Sequence, residues 1–234
     1  MVASTKTKIG RRKGRPTTTG SVGKDALVTA AREVLKRKSP GEITLNEIAQ
    51  IAGVDPALIR YYFGQLSGLY AEVASDITRE LRARLAATAT HKGSVQDRLH
   101  RRIRAYMEVF QANPYYNRLM IDAVRQTDNP ARQTILGLVT YSIEEMKDLA
   151  LEGERTGETK GLDGRFLQLA IVAMGEFFFS AHPVFVAIFG MDANDPKFAD
   201  AYSRFILSLV TCGEDNRAKR QSKPNGSAVR HKRR

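Results

Sequence analysis

Apolar residues recur along this chain at steps of three and four, the period of helices packed on one side. Leu27, Ala31, Val34 and Leu35 form one stripe over residues 25–38, and the Ser39-Pro40-Gly41 cluster stops it. Two short helical segments, 44–52 and 56–62, come next, then a longer one over 66–89 that Lys92-Gly93 follows. Val95, Leu99, Ile103, Tyr106 and Phe110 mark another helix, which ends before Asn113-Pro114. Segments 115–126 and 131–156 follow, the latter closed by Gly157. Residues 163–181 are apolar almost all round, so that helix must be covered on more than one side. Residues 195–212 carry a stripe of Phe198, Tyr202, Phe205, Ile206 and Leu209. No segment alternates for long as a strand would, and no repeat is evident. The pattern predicts an all-α fold.

Charge divides the chain differently. The net charge is +12, yet residues 25–212 are nearly neutral. Residues 1–24 hold Lys6, Lys8, Arg11, Arg12, Lys13, Arg15 and Lys24 with no acid, and 213–234 are also strongly basic. Two basic arms on a neutral body suit a polyanion such as nucleic acid, although solubilising tails share that composition. One cysteine, Cys212, excludes an internal disulfide, and the four histidines have no metal-ligand spacing. No cofactor is expected. The longest apolar stretch, around residues 167–179, is broken by Gln168 and Glu176 and is too short for a bilayer, so a cytoplasmic chain without a membrane partner is expected.

The local chemistry concentrates in TLNEIAQIAGVDPALIRYYF, residues 44–63. Thr44 and Glu47 have the spacing of a capping box. Ala49 is small enough for a second helix to cross closely. Gly53 supplies the positive φ of a sharp turn, and Val54 can plug beneath it. Asp55 can cap the next helix, with Pro56 at its start. Ile59 and Phe63 then face inward while Pro56, Ala57, Arg60 and Tyr61 face outward. In a helix-turn-helix such a face enters the major groove, where Arg60 can pair with a guanine edge and Ala57 can touch a thymine methyl. An ordinary helical hairpin with an idle outer face has the same local signals.

From residue 26 to 69 the chain resembles the DNA-binding domain of the TetR family of bacterial transcriptional regulators. Ala30-Ala31, Thr44, Ile48-Ala49, Ala52-Gly53-Val54, Ile59, Tyr61-Tyr62-Phe63-Gly64 and Leu69 carry the resemblance. It implies a three-helix head (25–66) between a basic arm (1–24) and a helical effector-binding and dimerisation body (67–212), with a basic tail (213–234). It assigns Thr44 to a phosphate, Ala57, Arg60 and Tyr61 to the groove, and Tyr62 to the backbone or a base edge. Two positions depart from the family pattern. Asp55 stands where serine is common, and Leu66 stands where a phosphate-binding lysine is frequent.

The Arg11-Arg12-Lys13-Gly14-Arg15-Pro16 segment contains the Gly-Arg-Pro core of an AT-hook. Arg11, Arg12, Lys13 and Arg15 are therefore candidates for an A·T-rich minor groove, with nonspecific phosphate attraction the equal alternative. In the body the resemblance implies a cavity for a small hydrophobic or aromatic effector, and the candidate lining is Phe110, Tyr116, Met120, Met174, Phe178 and His182. Helices near 163–181 and 195–212 are the expected homodimer contact, which would present two heads to a palindromic operator. The expected function is a ligand-responsive regulator, most simply a repressor. An architectural DNA-binding protein is the alternative. No phosphate-binding glycine loop, paired metal ligands or nucleophile motif points to an enzyme.

Overall fold

Leu69, Val73, Ile77, Leu81 and Leu85 fall on every fourth residue of one long helix, and all are buried. That stripe is the spine of the molecule. The computed structural model describes residues 19–89, 93–190, 192 and 195–211. Among these are ten α-helices and no strand, as the apolar period predicts; a lone antiparallel bridge joins Thr159 to Thr211.

The head comprises α1 (Thr19–Leu35), a 3₁₀ turn (Pro40–Glu42), α2 (Leu45–Ala52) and α3 (Ala57–Phe63). α1 starts six residues before the expected position, so the boundary at residue 24 falls inside a helix. The spine helix is α4 (Leu66–Ala89), and the body adds α5 (Val95–Ala112), α6 (Tyr116–Arg125), α7 (Pro130–Thr156), α8 (Gly164–Ser180), α9 (His182–Phe189) and α10 (Pro196–Val210).

Local chemistry sets many of these ends. Ser94 and Asp97 form a reciprocal capping box on α5, and Asn129 accepts the Ala131 amide at 3.0 Å to start α7. Gly157 ends α7 at φ +74°. Between α8 and α9 the chain bends by 62°, and Pro183 sits in the first turn of α9. The apolar period does not separate α9 from its surroundings. Gly164 lets α8 cross α7 closely: a Cβ there would lie 2.5 Å from the Lys147 Cα. Among the described residues, no single helix is long and apolar enough to cross a membrane.

One contiguous core runs from Leu27 in α1 through α4 to Ile206 and Val210 in α10. Arg32 clasps the head to the body. Its Nε donates to Asn113 Oδ1 at 2.9 Å, and its Nη atoms reach Asp76 at 3.2 Å and Glu80 at 2.5 Å. Asn113 is itself buried between α5 and α6 and donates to the Val109 carbonyl at 2.8 Å.

Candidate nucleic-acid interface and effector cavity

The turn between α2 and α3 is built from short-range contacts. Thr44 Oγ1 accepts the Glu47 amide at 3.2 Å. The reciprocal half of the expected box does not form, because the Glu47 carboxylate takes the Lys38 ammonium at 2.7 Å instead. Gly53, at φ +67°, turns its amide back to the carbonyls of Ala49 and Gln50. Val54 packs against the core beneath the turn. Asp55 Oδ1 accepts the Ala57 amide at 2.7 Å, so the carboxylate caps α3.

This scaffold fixes the orientation of α3. Ile59 is fully buried and Phe63 packs on the core, while Asp55, Pro56, Ala57 and Arg60 are exposed. Tyr61 is 79% exposed, a large ring turned to solvent on the same side. Among the described residues Arg60 has no ion-pair partner. Thr44 is exposed at the start of α2. Tyr62 also packs inside the head. It is half-buried, 4.9 Å from the Tyr61 ring, with its Cε2 3.8 Å from where a Cβ on Gly23 of α1 would stand. Leu66, in place of the frequent lysine, is half-buried against the core. Lys24 lies over the Phe63 ring and meets Glu72 at 3.5 Å. Arg11, Arg12, Lys13, Arg15, Cys212 and the basic tail lie outside the described residues.

In the body, α4, α5, α6, α7 and α8 line a cavity of about 290 Å³ that opens to solvent. Leu81, Phe110, Tyr116, Met120, Leu138 and Val172 supply apolar and aromatic wall, and Arg165 lies at the rim. Of the candidate lining residues, Phe110, Tyr116 and Met120 are there. Met174, Phe178 and His182 are not. Residues 165, 168, 169 and 172 turn one face of α8 to the cavity, which sends Phe178 towards α10. There it stacks on Tyr202 at 4.3 Å and Phe198 at 5.4 Å. The Met174 carbonyl accepts the Tyr202 hydroxyl at 3.3 Å. His182 lies past the bend, with Nε2 3.0 Å from Asp192 Oδ1.

Few polar atoms reach the cavity, and they are ordered. Thr78 Oγ1 donates to the Ala74 carbonyl at 2.7 Å, so the Tyr116 hydroxyl donates to Thr78 across 2.8 Å. Burial pushes the Tyr116 phenol up to about 12. Gln168 Nε2 donates to the Tyr106 hydroxyl at 2.8 Å, and that hydroxyl donates to Ser142 Oγ at 3.1 Å. In the sequence Gln168 reads only as an interruption of an apolar run. A lone amide in an apolar stretch that is otherwise broken only by Glu176 is the signal that points to it.

Both helices expected at a dimer contact present an apolar outer side. Phe166 (69% exposed), Leu169 and Phe177 stand out from α8, and Phe205 and Leu209 from α10. The opposite sides of these helices are buried through Leu167, Ile171 and Ile206. Among the described residues, no three His, Cys, Asp or Glu side chains gather as a metal site requires.

Residues 96–210 match the family model described as tetracyclin repressor-like, C-terminal domain. By that match residues 96–210 belong to the TetR family. Membership makes the chain a transcriptional regulator, not an enzyme. Solved structures share the TetR-family fold along most of their length. A TetR-family regulatory protein from Rhodococcus RHA1 is 18% identical with a TM-score of 0.63, covering 82% of this chain and 98% of that one. The ketosteroid transcriptional regulator KstR2 of Mycobacterium tuberculosis is 16% identical with a TM-score of 0.61, covering 81% and 95%. FadR from Bacillus subtilis, solved in complex with stearoyl-CoA, is 18% identical with a TM-score of 0.58, covering 79% and 96%. No curated protein matches the chain.

Proposed function

We propose that this chain is a cytoplasmic repressor that binds a roughly palindromic operator as a homodimer and is released by a small apolar effector. One observation carries the reading. α4 is shared between both functional regions, since Leu69 packs under the helix-turn-helix while Leu81 lines the cavity. A ligand that favours one position of α4 therefore changes the spacing of the two heads, with a coupling of about 1–3 kcal/mol in typical cases. Arg60 and Tyr61 read bases, Pro56 and Ala57 allow close approach, and Thr44 and Tyr62 contact the backbone. Asp55 acts as a cap and not as a phosphate ligand. Arg11, Arg12, Lys13 and Arg15 supply attraction that the nearly neutral head lacks, through an A·T-rich minor groove. The neighbour solved with stearoyl-CoA, a ligand with a long apolar acyl chain on a charged coenzyme A, supports a ligand with an apolar part in this body.

The test is selection of bound sites from random DNA, followed by Arg60→Ala on the preferred site. We expect a palindromic site and a loss of about 1–3 kcal/mol, with relaxed preference at one base position. Binding without sequence preference that vanishes with added salt would instead favour an architectural protein. Deleting residues 1–18 should weaken binding and remove any preference for A·T-rich flanks.

A further inference from the structure

The cavity has a buried inner wall and an open mouth. Tyr106, Phe110 and Leu138 are buried on the wall, whereas Ile121, Val139 and Leu169 are 40%, 40% and 65% exposed at the mouth. Binding pockets commonly remove about 70–90% of a ligand's surface from water. An apolar ligand left bare at such an opening forgoes part of the gain from burial.

Leu169 joins this mouth to a second surface. In α8, steps of four and three bring Phe166, Ala170, Ala173 and Phe177 onto one exposed strip, with Leu169 at its edge. The two alanines lie in the middle, and a phenylalanine stands at either end. Phe205 and Leu209 of α10 add to the exposed apolar surface. An apolar surface of that extent marks a contact with another molecule. The strip suits a second copy of the same helix. Near a two-fold axis each residue lies close to its own counterpart, so a charge there would repel itself. None of the five side chains on the strip is charged. The alanines let two backbones approach closely, and the phenylalanines fill the space beyond the crossing. Arg165, which also lies at the mouth, is held by Asp163, with Nη2 to Oδ2 at 2.6 Å.

We infer that the second copy in the homodimer closes the cavity mouth over Leu169 and completes its wall, so that each effector is held between two chains. This inference rests on the effector-cavity and homodimer readings above and adds that the two form one site. A ligand gripped by both copies acts directly on their relative placement. By reciprocity it tightens the dimer as much as the dimer tightens its binding.

Titration calorimetry of the full-length protein with 4-phenylphenol, an uncharged and largely apolar probe, tests this against the oligomeric state. Phe205→Asp combined with Leu209→Asp should give a folded monomer by mass and circular dichroism, and neither residue lines the cavity. That monomer should bind the probe about tenfold or more weakly than the wild-type dimer, within the usual range of coupling between sites. Val172→Trp, which fills the cavity from α8, should abolish binding and leave the dimer intact. If the α10 variant does not fold, the wild type gives the same reading: saturating probe should lower its dimer dissociation constant by about tenfold or more. Equal affinity in monomer and dimer, or a dimer constant that the probe leaves unchanged, would overturn the inference while both earlier readings stand. An α10 variant that stays dimeric would place the contact elsewhere and overturn the inference as well. A wild type that is monomeric at micromolar concentration would overturn the homodimer reading and the inference with it. Binding that survives Val172→Trp, or no binding to the wild type, would overturn the effector-cavity reading and the inference that rests on it.

Discussion

Replacing Arg32 with methionine would open the clasp between head and body while keeping most of the apolar stem. Two costs follow from the geometry. Asn113 Oδ1 loses its 2.9 Å donor in a nearly buried setting, which costs about 1–3 kcal/mol. The pairs with Asp76 and Glu80 are partly exposed, with side-chain exposures of 40% and 32%, so each contributes only about 0.2–1 kcal/mol. Glu80 retains Arg84 at 2.9 Å, so no carboxylate is left stranded. The expected loss is about 2–4 kcal/mol, a large part of the ~5–15 kcal/mol that stabilises a typical domain. In a chain of this size that lowers the melting temperature by about 4–16 °C. Thermal and urea unfolding of Arg32→Met, Asn113→Ala and the double variant measure the shared term. A coupling of about 1 kcal/mol between the two positions is expected. Strict additivity, within about 0.3 kcal/mol, would show that the clasp is not a single unit and refute the reasoning.

Four further outcomes follow from the packing and the charges. Gly164→Ala should destabilise by about 1–3 kcal/mol in thermal unfolding, because its Cβ would meet the Lys147 backbone at 2.5 Å and force α7 from α8. Acid titration followed by circular dichroism should show stability held above about pH 5 and lost below it. Burial alone would raise the Glu80 carboxyl, but Arg32 and Arg84 outweigh it and hold the group low, while Ser94 lowers Asp97 and Arg204 lowers Asp200. At the alkaline end, burial lifts Tyr70 and Tyr116 to about 12. The folded state therefore keeps protons that the unfolded chain releases near pH 10, and stability should fall from about pH 10 to pH 12. Phe166→Asp combined with Phe205→Asp should convert a dimer to a folded monomer in a mass measurement at micromolar concentration, since both rings are exposed on α8 and α10.

The parts of the fold that are legible in the sequence depend on neighbours a few residues apart. Thr44 and Gly53 announce α2, Asp55 announces α3, and each makes its expected local bond. What the sequence hides depends on distant partners or on weak local signals. Lys38 lies nine residues from Glu47 and outcompetes the Thr44 amide for its carboxylate. The Thr19-Gly20-Ser21 start of α1 has poor intrinsic helix propensity, which conceals six helical residues. A helix apolar on every side does not declare which face meets a cavity, so α8 turns Gln168 and Val172 inward where Met174 and Phe178 were expected. In α9, a run of Val, Phe and Ile between Pro183 and Gly190 reads equally well as strand or buried helix.

The outer apolar side of α8 and α10 bears on how gene expression would respond to the amount of this regulator. If those rings are covered only by a second copy, operator-competent protein forms in proportion to the square of the free chain whenever the dimer is weakly populated. Occupancy of the operator would then rise steeply over a narrow range of synthesis rates and fall just as steeply on dilution at cell division. The same coverage would make the melting temperature rise with protein concentration. Rings such as Phe166 and Phe205 would then set the threshold at which repression begins, without touching DNA or ligand.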